Sequence, residues 1–177
     1  MTLGDAWEQH ADEWITWART SPHDGFAKGT WPELQAVLPT PSGLAIEFGC
    51  GEGRVGRALL RLGHAVIGIE QSPTLAQAAR RGEPTVPVIR ADAAAVPIAD
   101  GVANLVVACM SLHDIDDLAS AVREAARVLR RGGQFCVAIV HPFSSAEDRA
   151  AWDGDVARYS EPYLRQRRVE DHIERDG

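Results

Sequence analysis

Residues 47–54 read Glu-Phe-Gly-Cys-Gly-Glu-Gly-Arg, and this short stretch is where the chain's residue types and spacing most plainly suit chemistry. Glycines at 49, 51 and 53 let a backbone turn sharply and approach a ligand with no Cβ in the way. A helix predicted just after them offers its N-terminal amides to an electron-rich group. Gly51-Glu52-Gly53-Arg54-Val55-Gly56 also matches G-x-G-x-x-G, and Glu70 ends the next predicted strand, where a carboxylate can grip a ribose diol. Taken alone, that is a dinucleotide-binding fingerprint. Three features favour another nucleoside. Glu47 lies inside the end of the first strand, where a carboxylate suits a cationic amine and is awkward beside a pyrophosphate. The G-x-G-x-x-G match begins at Gly51, later than the dinucleotide motif usually does. Asp92 follows the third strand, placed to accept a hydrogen bond from an adenine amino group.

These residues need elements to hold them. Apolar side chains at Trp7, Ala11, Trp14, Ile15 and Ala18 predict a helix over 5–19. Residues 20–30 are rich in turn formers and read as a loop, with a short second helix from Pro32 to before Pro39. From Leu44 the pattern alternates. Strands are predicted at 44–48, 65–69, 86–90, 102–109 and 135–140. Helical stripes lie between them at Val55–Leu62, after the capping pair Ser72-Pro73, and at Leu118–Leu129, which stops at Gly132-Gly133. Pro87 cannot donate to a ladder, so the third is an edge strand or Pro87 marks a strand end. The fifth, Phe-Cys-Val-Ala-Ile-Val, is continuously apolar, as a strand buried on both faces should be. The fold class is α/β, a doubly wound and mostly parallel sheet.

The set Glu47-x-Gly49-x-Gly51-x-Gly53, Glu70 after Val-Ile-Gly-Ile, Asp92 after the third strand, and Arg-Glu-Ala-Ala-Arg-Val-Leu-Arg-Arg-Gly-Gly at 123–133 resembles the class I S-adenosylmethionine-dependent methyltransferases. It is most like the small-molecule branch, type 11, that includes the ubiquinone and menaquinone biosynthesis enzymes. The resemblance covers roughly residues 40–141. It implies that residues 1–38 form an N-terminal helical lid and 39–141 a Rossmann-like cofactor-binding core. It also implies that Glu47 holds the methionine amino group, while Gly49, Cys50 and Gly51 pack against the methionine moiety and Gly53 allows the turn. Glu70 would bind both ribose hydroxyls and Gln71 line the adenine side. Asp92 and the Ala93 amide would read adenine, and Met110 and Ser111 line the methyl-donor side. S-adenosylhomocysteine is the product implied, and no metal. The family's sheet has seven strands, the last two forming a hairpin; this chain supplies five. The charged segment 142–177 ends on Asp176-Gly177, a hairpin-turn signal with no strand after it. It reads as the start of a missing strand-hairpin region, or else as a solvated tail.

Two histidines are catalytic candidates. His113 follows the fourth strand at the carboxyl edge where ligands bind in such sheets, as a general base or orienter for the substrate, or as part of a cap on a helix starting near Asp114. His141 ends the fifth strand at the same edge, facing substrate or bonded to backbone. Trp7 and Trp14 share a helical face and pack; Trp14 or Trp17 could instead cover the cofactor or cage its sulfonium. The arginines at 165, 167 and 168 read as a solvated face. No histidine pair has metal-ligand spacing.

Composition narrows the classes further. With 18 Lys and Arg against 25 Asp and Glu, the net charge is −7, a poor match for a polyanion, so nucleic acid is not an expected partner. Three cysteines, an odd number with no C-x-x-C pair, form neither a disulfide framework nor a zinc ribbon and suit a reducing cytoplasm. No apolar stretch approaches the roughly 18 residues of a membrane span, and the acidic N-terminus has no secretory pattern. The expected activity is methyl transfer from S-adenosylmethionine to a small-molecule acceptor. The alternatives are a non-catalytic module that binds the same cofactor and a nicotinamide-dependent oxidoreductase. Oligomeric state is not legible from the sequence.

Overall fold

The computed structural model describes residues 1–20 and 25–141, together with the backbone of 150–153 and 156–159. The chain divides into two compact units, Met1–Ile139 and Val140–Gly177.

The first unit is built on five strands, β1 (Leu44–Phe48), β2 (Ala65–Glu70), β3 (Val88–Arg90), β4 (Ala103–Cys109) and β5 (Leu129–Ala138). All pairs are parallel and the order is β3-β2-β1-β4-β5. The order reverses between β1 and β4, and the crevice outside their carboxyl ends is where open α/β sheets bind ligands. Buried side chains alternate between the two faces, as the two-residue period of a strand requires. Ile46, Phe48, Val106 and Ala108 pack with Ala121, Ala125 and Val128 of α6 (Leu118–Val128) on one face. Ala45, Leu105 and Val107 pack with Val55 and Leu59 of α4 (Arg54–Arg61) and Leu34 of α3 (Trp31–Val37) on the other. This is the doubly wound sheet expected. β3 is an edge strand, and it starts at Val88 rather than Val86, with Pro87 just outside it.

Helix α5 (Pro73–Arg81) starts where the sequence placed it, with Ser72 Oγ accepting from the Leu75 amide at 3.1 Å. The Glu124–Arg127 pair in the 123–133 motif is structural. Glu124 accepts from the Val96 amide at 2.8 Å, and Arg127 donates to the Val96 and Ile98 carbonyls at 2.9 and 2.7 Å, fastening α6 to the loop before β4.

Four expectations need correcting. The single helix over 5–19 is two, α1 (Leu3–Gln9) and α2 (Ala11–Thr20), broken at His10. Within the predicted loop, Phe26–Thr30 is a π-helical turn running directly into α3. No helix starts near Asp114; a 3-10 turn at Leu112–Asp114 precedes α6, which Asp117 caps through the Ser120 amide at 2.9 Å. β5 begins earlier than expected and is not buried on both faces. Among the described residues it is the other edge of the sheet, with Cys136 buried and Val137 41% exposed. An apolar run reports that a strand wants neighbours, not that it has one on each side.

In the second unit, β6 (Ala150–Asp153) and β7 (Val156–Tyr159) form an antiparallel pair with Ala150 opposite Tyr159. The sequence reading had not separated them from the charged segment, although Asp153-Gly154 is a hairpin signal. The arginines at 165, 167 and 168, and the final Asp-Gly, lie outside the described residues.

Candidate functional site

The glycine segment leaves β1 and climbs into α4 through three left-handed glycines, with φ of +64° at Gly49, +54° at Gly51 and +88° at Gly53. At Gly49 the need is steric as well as conformational, because a Cβ there would lie 2.6 Å from Ser111 Cβ. At Gly51 the reverse holds. A Cβ would meet only Trp14 Nε1, at 3.8 Å, so this residue turns an open, side-chain-free face toward the crevice.

Two sequence-predicted carboxylates converge beneath the segment. Glu70, at the end of β2, accepts from the Gly51 amide through Oε2 and from the Ser72 amide through Oε1, both at 2.8 Å. Burial raises its pKa, and the Ser72, Gly51 and Gln71 amides oppose that rise. A carboxylate has about four acceptor sites, so two amides leave capacity for ligand hydroxyls. Glu47 is 2% exposed and lies against the underside of α4, where a Cβ on Gly56 would come within 2.9 Å of Oε2. That oxygen has no hydrogen-bond partner. Burial first, and then the charge of Glu70, hold Glu47 well above the ordinary carboxylate value of 4.5. Cys50 is buried beside them, its thiol pushed up by burial and by both carboxylates, and it is no nucleophile.

The remaining predicted residues of the first unit lie just past the carboxyl ends of β2, β3 and β4. Asp92, exposed after β3, accepts from the Ala94 amide at 2.8 Å and shapes the turn that buries Ala93. Gln71 is exposed and lies under α1, 2.7 Å from where a Gly4 Cβ would be. Met110, just past β4, is the sole non-glycine residue with positive φ (+54°) among the described residues. Such strain, of the order of 1 kcal/mol or more, collects at functional sites. Ser111 donates to the Phe48 carbonyl at 2.7 Å and clasps β1 to β4 across the switch point. His113 is half-exposed on the 3-10 turn with Nε2 3.6 Å from Asp114 Oδ2. His141 belongs to the second unit.

Sequence reasoning missed the residues that brace this site. Glu52 is 1% exposed and receives Arg57 Nη2 on both oxygens, at 2.6 and 2.7 Å, plus Arg19 Nε at 2.8 Å. Glu8 of α1 accepts from the Ser72 and Thr74 hydroxyls and the Thr74 amide at the start of α5. Partial burial pushes Glu8 up, but these donors outweigh it and hold its pKa low. An acidic residue between two glycines was the one visible hint of the first cluster; nothing local marks Arg19 or Glu8. Trp14 stacks on Trp17 with centroids 5.0 Å apart and meets Trp7 edge-on at 5.5 Å, so all three tryptophans pack together above the glycine segment. Arg54 lies over the Trp14 and Phe26 rings. A cleft of about 490 Å³ opens between the α3 segment and the ends of β4 and β5, lined by Thr30, Glu33, Leu34, Met110, Val137 and Ile139 among others.

The donor set has a definite bias. Three buried carboxylates ring the glycines, which disfavours a pyrophosphate and suits a ligand carrying a cationic amine and a diol. The side-chain-free face at Gly51, the spare acceptor sites of Glu70 and the unpartnered Glu47 oxygen fit S-adenosylmethionine on these grounds. Among the described residues no group of His, Cys, Asp and Glu is placed to hold a metal, and no helix is long and apolar enough to cross a membrane.

Known proteins supply the family. Residues 46–137 match the family described as methyltransferase domain. The malonyl-[acyl-carrier protein] O-methyltransferase of Enterobacter lignolyticus is 29% identical over 131 residues, covering 73% of this chain and 52% of that protein. A Mycobacterium tuberculosis protein named "Probable S-adenosylmethionine-dependent methyltransferase" is 34% identical over 92 residues, covering 52% of this chain and 34% of its own length. The chain thus spans about half or less of these two relatives. The crystal structure of an S-adenosylmethionine-dependent methyltransferase from Mesorhizobium loti superposes with a TM-score of 0.64 at 27% identity, covering 76% of this chain and 64% of that one.

Proposed function

This chain belongs to the methyltransferase domain family, and on that premise we propose that it holds S-adenosylmethionine along the carboxyl edge of β1, β2 and β4 and serves methyl transfer to a small-molecule acceptor. The observation that carries the reading is the glycine segment itself, left-handed at each of its three glycines and tied through the Gly51 amide to Glu70 at 2.8 Å.

Glu70 would accept from the ribose hydroxyls and Glu47 would neutralise the methionine ammonium. Gly49, Cys50 and Gly51 would lie along the methionine chain, with Gln71, Asp92 and Ala93 on the adenine side and Met110 and Ser111 toward the methyl group. When bound, S-adenosylmethionine supplies a methyl already activated on a sulfonium. The protein's task is then chiefly alignment, which can supply roughly 7–11 kcal/mol of a barrier. A base is needed only where the acceptor holds its proton tightly. His113, half-exposed past β4, would take that role. The cleft beside Met110 is the acceptor's proposed route, because Met110 belongs both to its wall and to the methyl-donor side. A relative named for a carrier-bound malonyl group supports a small acceptor without identifying it.

Calorimetric titration with S-adenosylmethionine and S-adenosylhomocysteine tests the reading, with Glu70→Ala as control. Micromolar binding by the chain, weakened at least a hundredfold in the variant, is the expected result. A folded chain that binds neither compound sinks the proposal. Tight binding without turnover across an acceptor screen would favour the non-catalytic module.

A further inference from the structure

Arg19, near the end of α2, touches two other parts of the molecule at once. Its Nε donates to Glu52 Oε2 at 2.8 Å and its Nη2 to the Ala78 carbonyl of α5 at 2.9 Å. We propose that Arg19 is a positioning residue that couples the seating of α1 and α2 to the glycine segment, so that filling the cofactor site and fastening the N-terminal helices are one linked event. This rests on the reading of the site given above.

Glu52 does not need Arg19 for charge balance. Arg57, one turn into α4 and only 13% exposed, already pairs with both of its oxygens and donates to its main-chain carbonyl at 2.7 Å. Segment and helix are therefore locked to each other without help from α2. Arg19 is 39% exposed against 1% for Glu52, so it can leave without stranding a buried charge. What it contributes is the connection. Other ties of the N-terminal helices reach elsewhere on the first unit. Glu8 reaches Ser72 and Thr74, and the Leu3 amide donates to Asp116 at 3.0 Å. Arg19 is a charged side chain through which α2 holds the glycine segment, and Trp14 of the same helix stands over the open face of Gly51 and under Arg54. A ligand on that face meets the segment below and α2 beside it, and any preference it has for one arrangement of the segment passes to α2 through the guanidinium. Such coupling is reciprocal: seated helices must raise ligand affinity by the factor by which ligand favours seating.

The test is amide hydrogen exchange on the full chain with and without S-adenosylhomocysteine, for wild type, Arg19→Ala and Arg19→Lys, with the affinity measured for each. In wild type the ligand should slow exchange both at residues 49–54 and across 3–20. In Arg19→Ala, protection at 49–54 should persist, protection across 3–20 should vanish, and affinity should fall about tenfold, within the range usual for coupled sites. Lysine keeps the charge but loses the fork, so Arg19→Lys should restore part of both effects. A purely structural role would loosen 3–20 equally with and without ligand. Arg19→Ala with wild-type affinity and ligand-dependent protection across 3–20 overturns the coupling alone. A wild-type chain that does not bind S-adenosylhomocysteine overturns the reading of the site, and the coupling with it.

Discussion

On the β1–β2 side of the switch point, Glu47, Glu52 and Glu70 are all buried, and every glycine of the segment between them is fixed by a positive φ. On the β4–β5 side the residues are Met110, half-exposed His113, and Val137 and Ile139, both more than two-fifths exposed. The first half spends stability on burying charge, and holds it with amides and guanidinium groups already in place. The second half is apolar and open, with strain at one residue. A site laid out this way is rigid on the half proposed for the cofactor and open on the half proposed for the acceptor.

The sharpest way to break that comparison is Gly49→Ala. A methyl there would have to share space with Ser111 Cβ at 2.6 Å and sit at φ +64°. Left-handed strain and overpacking together should cost about 3 kcal/mol or more. Urea unfolding should show a much lower midpoint, and cofactor binding should be lost even below that midpoint. Wild-type stability would mean that the β1–β2 half is as yielding as the other.

Next comes Glu47→Gln. The fold holds the Glu47 proton more tightly than the unfolded chain does, through burial and the nearby charge of Glu70. The associated stability is complete below pH 4.5 and is lost as pH rises toward the raised folded value. Glutamine removes that dependence. The variant should melt with wild type below pH 4.5 and several degrees above it near neutral pH, while binding S-adenosylmethionine more weakly. Such exchange of stability for function is common at sites that bury charge. Thermal melts across pH check it, and parallel curves would show that Glu47 is not held neutral.

How far this contrast was legible in the sequence differs between its halves. β1, β2 and β4 fell within a residue or so of prediction, because burial on both faces leaves short continuous apolar runs between turn residues. Gly49, Gly51 and Glu70 were legible because their spacing follows from one strand-turn-helix unit. The brace of Arg19, Arg57 and Glu52 was not, since the Arg19–Glu52 contact joins positions 33 apart that only the tertiary fold brings together. The break at His10 leaves no trace in the apolar period. The burial of β5 on both faces was misjudged, because a run of apolar residues is local information, whereas Val137 is exposed through what does and does not pack on it. The β6–β7 pair was missed although Asp153-Gly154 sits at the end of its first strand.

On the open half, Met110→Gly should stabilise. Glycine adopts φ +54° without strain, and the gain should approach about 1 kcal/mol, offset in part by the unfolded chain's greater freedom. Turnover should fall while cofactor affinity stays near wild type, because the side chain walls the cleft rather than the segment beneath the cofactor. Denaturation and paired binding and rate measurements check it. A loss of stability would show that packing by Met110 outweighs its backbone strain.

The smallest effect on stability should come from Val137→Lys. Val137 is 41% exposed on an edge strand and borders the cleft, so its replacement should shift stability by no more than about 0.5 kcal/mol. A charge on an exposed edge also discourages strand-to-strand association, and the variant should aggregate less. The informative quantity is what the lysine does to the acceptor. If the apolar cleft admits the acceptor, a cation at its wall should raise the KM for an uncharged acceptor severalfold, while the Kd for S-adenosylhomocysteine stays unchanged. Equal weakening of both ligands would mean that the two halves share one rigid site, and no change in either would move the acceptor away from β5. The comparison thus turns on a substitution expected to cost the fold little, so that a change in the acceptor's KM alone would tie the open half to the acceptor.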